Sequence, residues 1–246
     1  MDRLVYVAMT GAKQAMLAQG LVSNNLANSN TYGFRADLAR FTESPVPGPG
    51  MPSRVDSIAS GMGFDHSTGT LVETGRPLDV VVDSAGWIAV QAADGTEAYT
   101  RSGALNVDAL GLLRTRTGEL VLGDNGPIAI PPFTEIMVGG DGTISVVPQG
   151  QGPQTMAGAG RIKLVNPERS QLLKRPDGLV QIPDGAAAEA DATVKLISGF
   201  LEASNVNLGQ SMIEMIELSR RFEIEVRMMR LADENASKAA ELLRSS

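Results

Sequence analysis

The chain has 246 residues, a formal net charge of −7 and a sequence pI of about 4.8. The acidic balance disfavours a nucleic-acid backbone as partner, because that affinity comes from Lys and Arg. With no cysteine and one histidine, disulfides, thiolate nucleophiles, Cys-based zinc sites and His-rich metal sites are excluded.

Hydrophobic content of 43% supports a real core, and the length fits one large or two modest domains. No run of eighteen apolar residues is present, so no membrane span is expected. Met1-Asp2-Arg3-Leu4-Val5-Tyr6 lacks the apolar stretch of a cleaved secretory leader.

In chain order, the first element is a helix. Leu4, Ala8, Gly11, Ala15, Ala18 and Val22 recur at spacings of four and three, a seam pattern with room for a close partner backbone. Few bulky side chains occupy the seam, so the helix is expected to be marginal alone. It should end near Asn24 to Asn30, where Asn and Ser favour caps and turns.

Residues 36–70 read as a linker or extended loop. Within them, 44–53 hold four prolines and two glycines. Residues 71–204 change character. Leu78-Asp79-Val80-Val81-Val82 and Trp87-Ile88-Ala89-Val90 are short β-branched runs. Asp94-Gly95, Asn125-Gly126, Asp141-Gly142, Asp177-Gly178 and Asp184-Gly185 supply hairpin turns. The expectation is a mainly antiparallel β domain.

A second helix begins near Asn207, with Gln210 completing a capping box. Leu208, Met212, Met215, Phe222, Val226 and Met229 follow the four–three spacing, and Ala236, Ala240 and Leu243 continue it. Glu217 with Arg221 and Glu223 with Arg227 stand as i,i+4 pairs. The fold class is therefore α+β, a central β domain flanked by N- and C-terminal helices.

Catalytic chemistry has little to stand on. His66 lies between Asp65 and Ser67, but adjacency in sequence is not a triad. Gly61-Met62-Gly63 lacks the third glycine of a dinucleotide loop and reads as a turn. Asp79 and Asp83 are paired carboxylates of a kind common at strand ends. Met212, Met215, Met228 and Met229 read as seam packing rather than metal ligands. Arg220, Arg221, Arg227 and Arg230 are interleaved with Glu, as on a solvated or interfacial face. A β-rich binding or hydrolytic domain with helical oligomerisation ends is the rival reading, favoured by a polar cleft around Asp65, His66 and Asp79.

The Asn-rich block is more structured than a loop needs. Asn24, Asn25 and Asn28 are followed by Thr31-Tyr32-Gly33-Phe34-Arg35. Asn side chains bond backbone groups locally and across interfaces.

This block resembles the N-terminal signature of the bacterial flagellar axial proteins of the rod and hook class. Leu78–Val82 with Gly86–Val90, Tyr99-Thr100-Arg101-Ser102-Gly103, Gly126–Pro131 and Gly199-Phe200-Leu201-Glu202-Ala203-Ser204-Asn205-Val206-Asn207 also resemble that class, in order along the chain. Trp87 stands where the class usually has Phe. The modest length is most similar to the proximal-rod members, with distal-rod or hook subunits as the alternative.

The resemblance implies a structural subunit that self-assembles helically into a torque-transmitting drive shaft. Residues 1–35 with 205–246 would form its inner coiled-coil-like layer. It implies the rod itself and other rod proteins as partners, export by the flagellar type III apparatus without a cleaved signal, and a periplasm-spanning basal-body location. No enzyme activity, cofactor, metal, nucleic acid or small-molecule substrate is expected. The assembly motif would be Asn24, Asn25, Leu26, Asn28, Thr31, Gly33 and Phe34. The helix seam would be Leu4, Val22, Leu208, Met212, Met215, Phe222, Val226 and Met229. Asn25→Ala and Gly33→Val are expected to impair incorporation more than stability.

Overall fold

The structure, a computed structural model, describes residues 2–45, 55–83, 85–150 and 155–244. The chain forms two compact units. One comprises Met1–Ser29, Ala36–Asp65 and Val206–Ser246, the other Asn30–Arg35 and His66–Asn205.

The first unit is built on two helices, α1 (Asp2–Ala27) and α2 (Leu208–Arg244). On α1 the buried residues are Ala8, Ala12, Ala15, Ala18, Val22 and Asn25, the small-residue stripe expected from the spacing. Short side chains let a neighbouring backbone come close but bury little apolar area per turn. The covered face of α2 runs through Ser211, Met215, Ser219, Val226, Met229 and Ala232. Asn207 caps α2: its Oδ1 accepts the Gln210 N–H at 3.1 Å, satisfying one of the free donors of the first turn.

Two expectations for α2 are corrected. Beyond Ala232 the helix is uncovered, with Ala236 and Ala240 exposed; the Leu243 side chain lies outside the described residues. At 37 residues, α2 outruns the 26 residues of α1, and the described side chains of its last turns are all exposed. Neither Glu217–Arg221 nor Glu223–Arg227 forms an ion pair among the described residues. Exposed pairs of this kind gain too little to hold two long side chains in place.

The stretch 36–70, expected to be a linker, is largely a hairpin. Strands β1 (Asp37–Pro45) and β2 (Val55–Phe64) pair antiparallel, from Asp37 opposite Phe64 to Pro45 opposite Val55. Gly61-Met62-Gly63, read as a turn, lies inside β2, where Met62 and Gly63 pair with Ala39 and Leu38 of β1. The proline-rich residues 46–54 lie outside the described residues.

The second unit is all β. It opens with β3 (Leu71–Glu73), β4 (Val80–Asp83), β5 (Trp87–Gln91) and β6 (Glu97–Thr100). β7 (Leu105–Val107), β8 (Leu113–Thr115), β9 (Leu120–Gly123) and β10 (Gly126–Pro127) follow. β11 (Phe133–Val138), β12 (Thr143–Pro148) and β13 (Ala157–Arg161) make a separate three-stranded sheet. β14 (Leu164–Val165), β15 (Leu173–Lys174), β16 (Val180–Gln181), β17 (Lys195–Ser198) and β18 (Phe200–Glu202) complete the unit.

The main sheet has the order β15-β16-β6-β5-β9-β8-β7, with β10 on β9 and β14 on β5, and all its pairs are antiparallel. β5 is covered on both faces, which is why Trp87–Val90 reads as a continuous apolar run. Ile88, Val90, Leu105, Leu113, Val121, Ile144 and Ile162 are essentially fully buried in one core. Asp94-Gly95 turns β5 into β6 and Asp141-Gly142 turns β11 into β12. Asp184-Gly185 instead sits in a single 3-10 turn, Pro183–Gly185.

The end of this unit returns to its beginning. β17 pairs with β4 and β18 with β3. Residues 195–202 are thereby brought against 71–83, which carries Glu202 into the interior.

Burial separates two leucines of this unit. Leu113→Ala, at a fully buried position, should cost about 2–5 kcal/mol, whereas Leu110→Ala, 82% exposed, should stay within about 0.5 kcal/mol. Urea unfolding followed by the fluorescence of buried Trp87 measures both.

Candidate assembly site

The signature segment folds onto the β unit through its last residues. Thr31 to Phe34 form a turn in which the Phe34 N–H donates to the Thr31 carbonyl at 3.2 Å. Gly33 takes φ +71°, the positive angle that the third turn position reserves for glycine. Space enforces the same choice. A Cβ on Gly33 would stand 2.3 Å from the Arg101 carbonyl carbon and 2.4 Å from the Ser102 nitrogen. The Gly33 N–H donates to the Glu202 carbonyl at 2.7 Å. Phe34 is half-buried, with the Lys174 ammonium 3.9 Å from its ring centroid. The same ammonium donates to the Arg35 carbonyl at 2.7 Å.

Arg35, Arg101 and Glu202 are each at most 3% exposed. One carboxylate serves both guanidiniums: Glu202 Oε1 lies 2.7 Å from Arg35 and Oε2 lies 3.6 Å from Arg101. Oε1 also accepts the Gly69 N–H at 2.9 Å. Arg35 donates to the Ser67 carbonyl. Arg101 donates to the Val82 carbonyl at 2.9 Å and stacks over Trp87, 5.6 Å from the ring centroid. Burial pulls the Arg101 pKa down to about 10, with the Glu202 charge opposing the shift, so it stays cationic at neutral pH. Asn205 ties the last segment in, donating its N–H to the Phe34 carbonyl at 3.4 Å and its side chain to Ser67.

The Asn block divides its tasks. Asn25 is buried and forms a two-way bond with one backbone residue: its Nδ2 donates to the Asp37 carbonyl at 3.0 Å and its Oδ1 accepts the Asp37 N–H at 2.7 Å. That amide fastens the end of α1 to the start of β1. Asn28 donates to the Asn24 carbonyl and side-chain oxygen at 3.0 and 3.2 Å, closing the last helical turn. Asn24 and Thr31 are exposed and Leu26 is half-buried.

The seam residues split likewise. Val22 is buried, and Met215, Val226 and Met229 are half-buried; Phe222 lies at the margin. Leu208 and Met212 are about half exposed and lie outside the covered face. The Leu4 side chain lies outside the described residues. Further large apolar residues face outward on both helices: Tyr6, Met9, Met16 and Leu17 on α1, and Ile213, Ile216, Ile224 and Leu231 on α2. That is more apolar surface than an isolated helix pair normally leaves open.

The residues of the rival reading are otherwise engaged. Asp79 is buried and its carboxylate meets Arg76 at 3.4 Å. Asp65 belongs to the first unit, His66 and Asp79 to the second. Among the described residues no group of three or more His, Asp or Glu is arranged to hold a metal. Spacing arguments passed over Arg35, Arg101 and Glu202, although all three stand inside the quoted motifs. The available signal was one acidic and two basic residues in segments otherwise apolar or small.

Removing the shared carboxylate leaves two buried cations facing each other. Glu202→Ala should cost about 3–5 kcal/mol in the β unit, and Gly33→Val should also destabilise it, since the clash is with backbone. Asn25→Ala should cost about 1–3 kcal/mol through two unmet backbone groups and leave Trp87 fluorescence native. Thermal and urea unfolding of the purified variants test all three. A Gly33→Val protein as stable as its parent would restore the expectation that this glycine acts on incorporation alone.

Known proteins align with these elements. Residues 5–35 match the family described as flagella basal body rod protein, 81–146 the flagellar hook protein FlgE/F/G D1 domain, and 197–242 the flagellar basal body rod FlgEFG protein C-terminal region. The chain is 42% identical to the flagellar basal-body rod protein FlgF of Escherichia coli (strain K12), over the full length of both. It is 41% identical to FlgF of Salmonella typhimurium, also over both full lengths. Against the flagellar basal-body rod protein FlgG of Bacillus subtilis it is 31% identical, over 99% of this chain and all of that one. The matched regions take in all three residues of the buried ion cluster and both helices of the first unit. The chain belongs to the bacterial flagellar basal-body rod protein family, and it is a structural protein rather than an enzyme.

Proposed function

We propose that this chain is a subunit of the proximal part of the flagellar rod. It assembles helically with its own copies and with other rod proteins into the shaft that carries torque across the periplasm. The observation that carries this reading is the α1–α2 pair. The α1 side of its seam is mostly alanine, and its outer faces expose Ile, Leu, Met and Tyr side chains. Burying those faces against neighbouring subunits gains about 25 cal/mol per Å² of apolar area, which offsets the ordering of long helices.

The higher identity to the FlgF chains of Escherichia coli and Salmonella typhimurium, 42% and 41%, than to Bacillus FlgG, 31%, supports the proximal over the distal position. The segments through which the chain leaves the β unit, 30–35, 66–69 and 202–205, are bonded to one another around Glu202. Export through the type III apparatus completes the reading, because a chain without cysteines can be threaded and refolded without redox chemistry.

A deletion strain should stop flagellar construction at the rod, and the purified chain should co-assemble with other rod subunits. Normal flagella in the deletion strain would overturn the reading. Hydrogen exchange on the free chain adds a physical test. Amides of 5–25 and 210–240 should exchange much faster than those of Ile88–Val90, and slow on incorporation. Equally strong protection in a monodisperse monomer would remove the dependence on partners. Phe222→Ala should reduce incorporation and swimming while the β unit stays folded.

A further inference from the structure

Two polar acceptors of the helix pair, one on each helix, have no hydrogen-bond or ion-pair donor among the described residues. The Glu225 carboxylate lies directly on Gly11: its Cδ and Oε1 each stand 2.7 Å from where a Cβ on that glycine would be. One turn along α1, the Gln14 Oε1 is buried and meets no hydrogen-bond donor among the described residues. Both groups are acceptors, and both sit at the edge of a seam otherwise made of Ala, Val and Met. Glu225 forms no ion pair among the described residues, and Lys13, beside Gln14, is exposed and equally unpaired. Glu225 is half-buried; the Gln14 oxygen, withdrawn from water without a donor, carries a desolvation penalty that a cationic donor removes.

The chain also carries the complementary groups. Arg220, Arg221, Arg227 and Arg230 are exposed on α2, and none forms an ion pair with a described residue. A guanidinium presents five N–H donors in a rigid fork and bonds a carboxylate and a neighbouring amide oxygen together. The exposed apolar faces around these arginines already require a covering neighbour.

We propose that Gly11, Gln14 and Glu225 form a notch that receives an α2 arginine from a second copy of this chain, fixing the register between adjacent subunits. The inference rests on the rod reading above. Gly11 belongs to the notch because a side chain there would push the flexible end of Glu225 aside. A contact joining two different patches of identical subunits is heterologous, the kind that propagates a helical array rather than closing a dimer. A single polar position in an apolar seam sets register in coiled coils by the same physics.

The test uses strains in which the gene is replaced by variants, with the amount of the chain in purified basal bodies and swimming as readouts. E225R should lower incorporation by about tenfold or more, as expected for a buried charge pair turned repulsive. Reversal of one of Arg220, Arg221, Arg227 or Arg230 to Glu in the E225R background should restore it. E225Q, which keeps the shape, should give an intermediate loss, and Gly11→Ala should behave like E225Q. Circular dichroism and Trp87 fluorescence of the purified variants should match the parent. Incorporation of E225R and E225Q at the parent level, or failure of all four reversals to rescue, would overturn the notch. Absence of the parent chain from basal bodies would overturn the rod reading itself, a result distinct from either.

Discussion

A single carboxylate organises the β unit. Glu202 is buried, and two buried arginines depend on it: Arg35 from the N-terminal signature and Arg101 from the β6–β7 connection. A buried charge is tolerable only when paired and hydrogen-bonded, so each guanidinium needs the carboxylate, and it needs them. The backbone around the cluster is drawn tight to make this possible. Gly33 lies against residues 101–102, and a Cβ on Gly69 would stand 1.9 Å from the Ala203 carbonyl oxygen. The return of β17 and β18 onto β4 and β3 is what delivers Glu202 to that position. Four segments far apart in sequence are held at one point by electrostatics rather than by apolar contact.

The first unit obeys a different economy. Alanines let α1 and α2 approach, but a methyl group buries little area, and the helix pair is left with many large apolar side chains outside. Its helix α1 is fastened to β1 by the Asn25 amide on the Asp37 backbone. A helix pair with a thin seam and an apolar exterior has most of its attainable burial still available to neighbours. The β unit has spent its burial internally; the helices have kept theirs for assembly.

Much of this was legible in the sequence, and the failures have physical causes. Helix positions followed from the four–three spacing, because side-chain periodicity is a local property. The small-residue stripe of α1 was readable for the same reason, and so was the Asn207 cap. The β1–β2 hairpin was not, because the Pro and Gly at 44–53 hid the strand character of the residues on either side. Gly61-Met62-Gly63 was taken for a turn, although pairing with β1 holds it extended. The ion cluster was invisible to spacing, since Arg35, Arg101 and Glu202 are joined only by tertiary structure. Leu208 and Met212 face outward within the single chain, because over six turns a straight helix drifts relative to a strict seven-residue repeat; burial of these two side chains is left to a neighbouring subunit.

The treatment of charge separates the two units more sharply than their secondary structure does. In the β unit, Arg35, Arg101, Arg114, Lys163 and Arg175 all meet carboxylates within 4 Å. On α2, no arginine from Arg220 to Arg230 does so among the described residues. Unpaired charges beside exposed apolar residues have two effects before assembly. They keep the helices hydrated, and the net charge of −7 makes like copies repel at long range. Association then requires a geometry in which opposite charges meet as the apolar faces close. Apolar attraction alone tolerates sliding along a helix, whereas charge pairing admits few registers, so a surface of this composition favours ordered addition of subunits over indiscriminate aggregation.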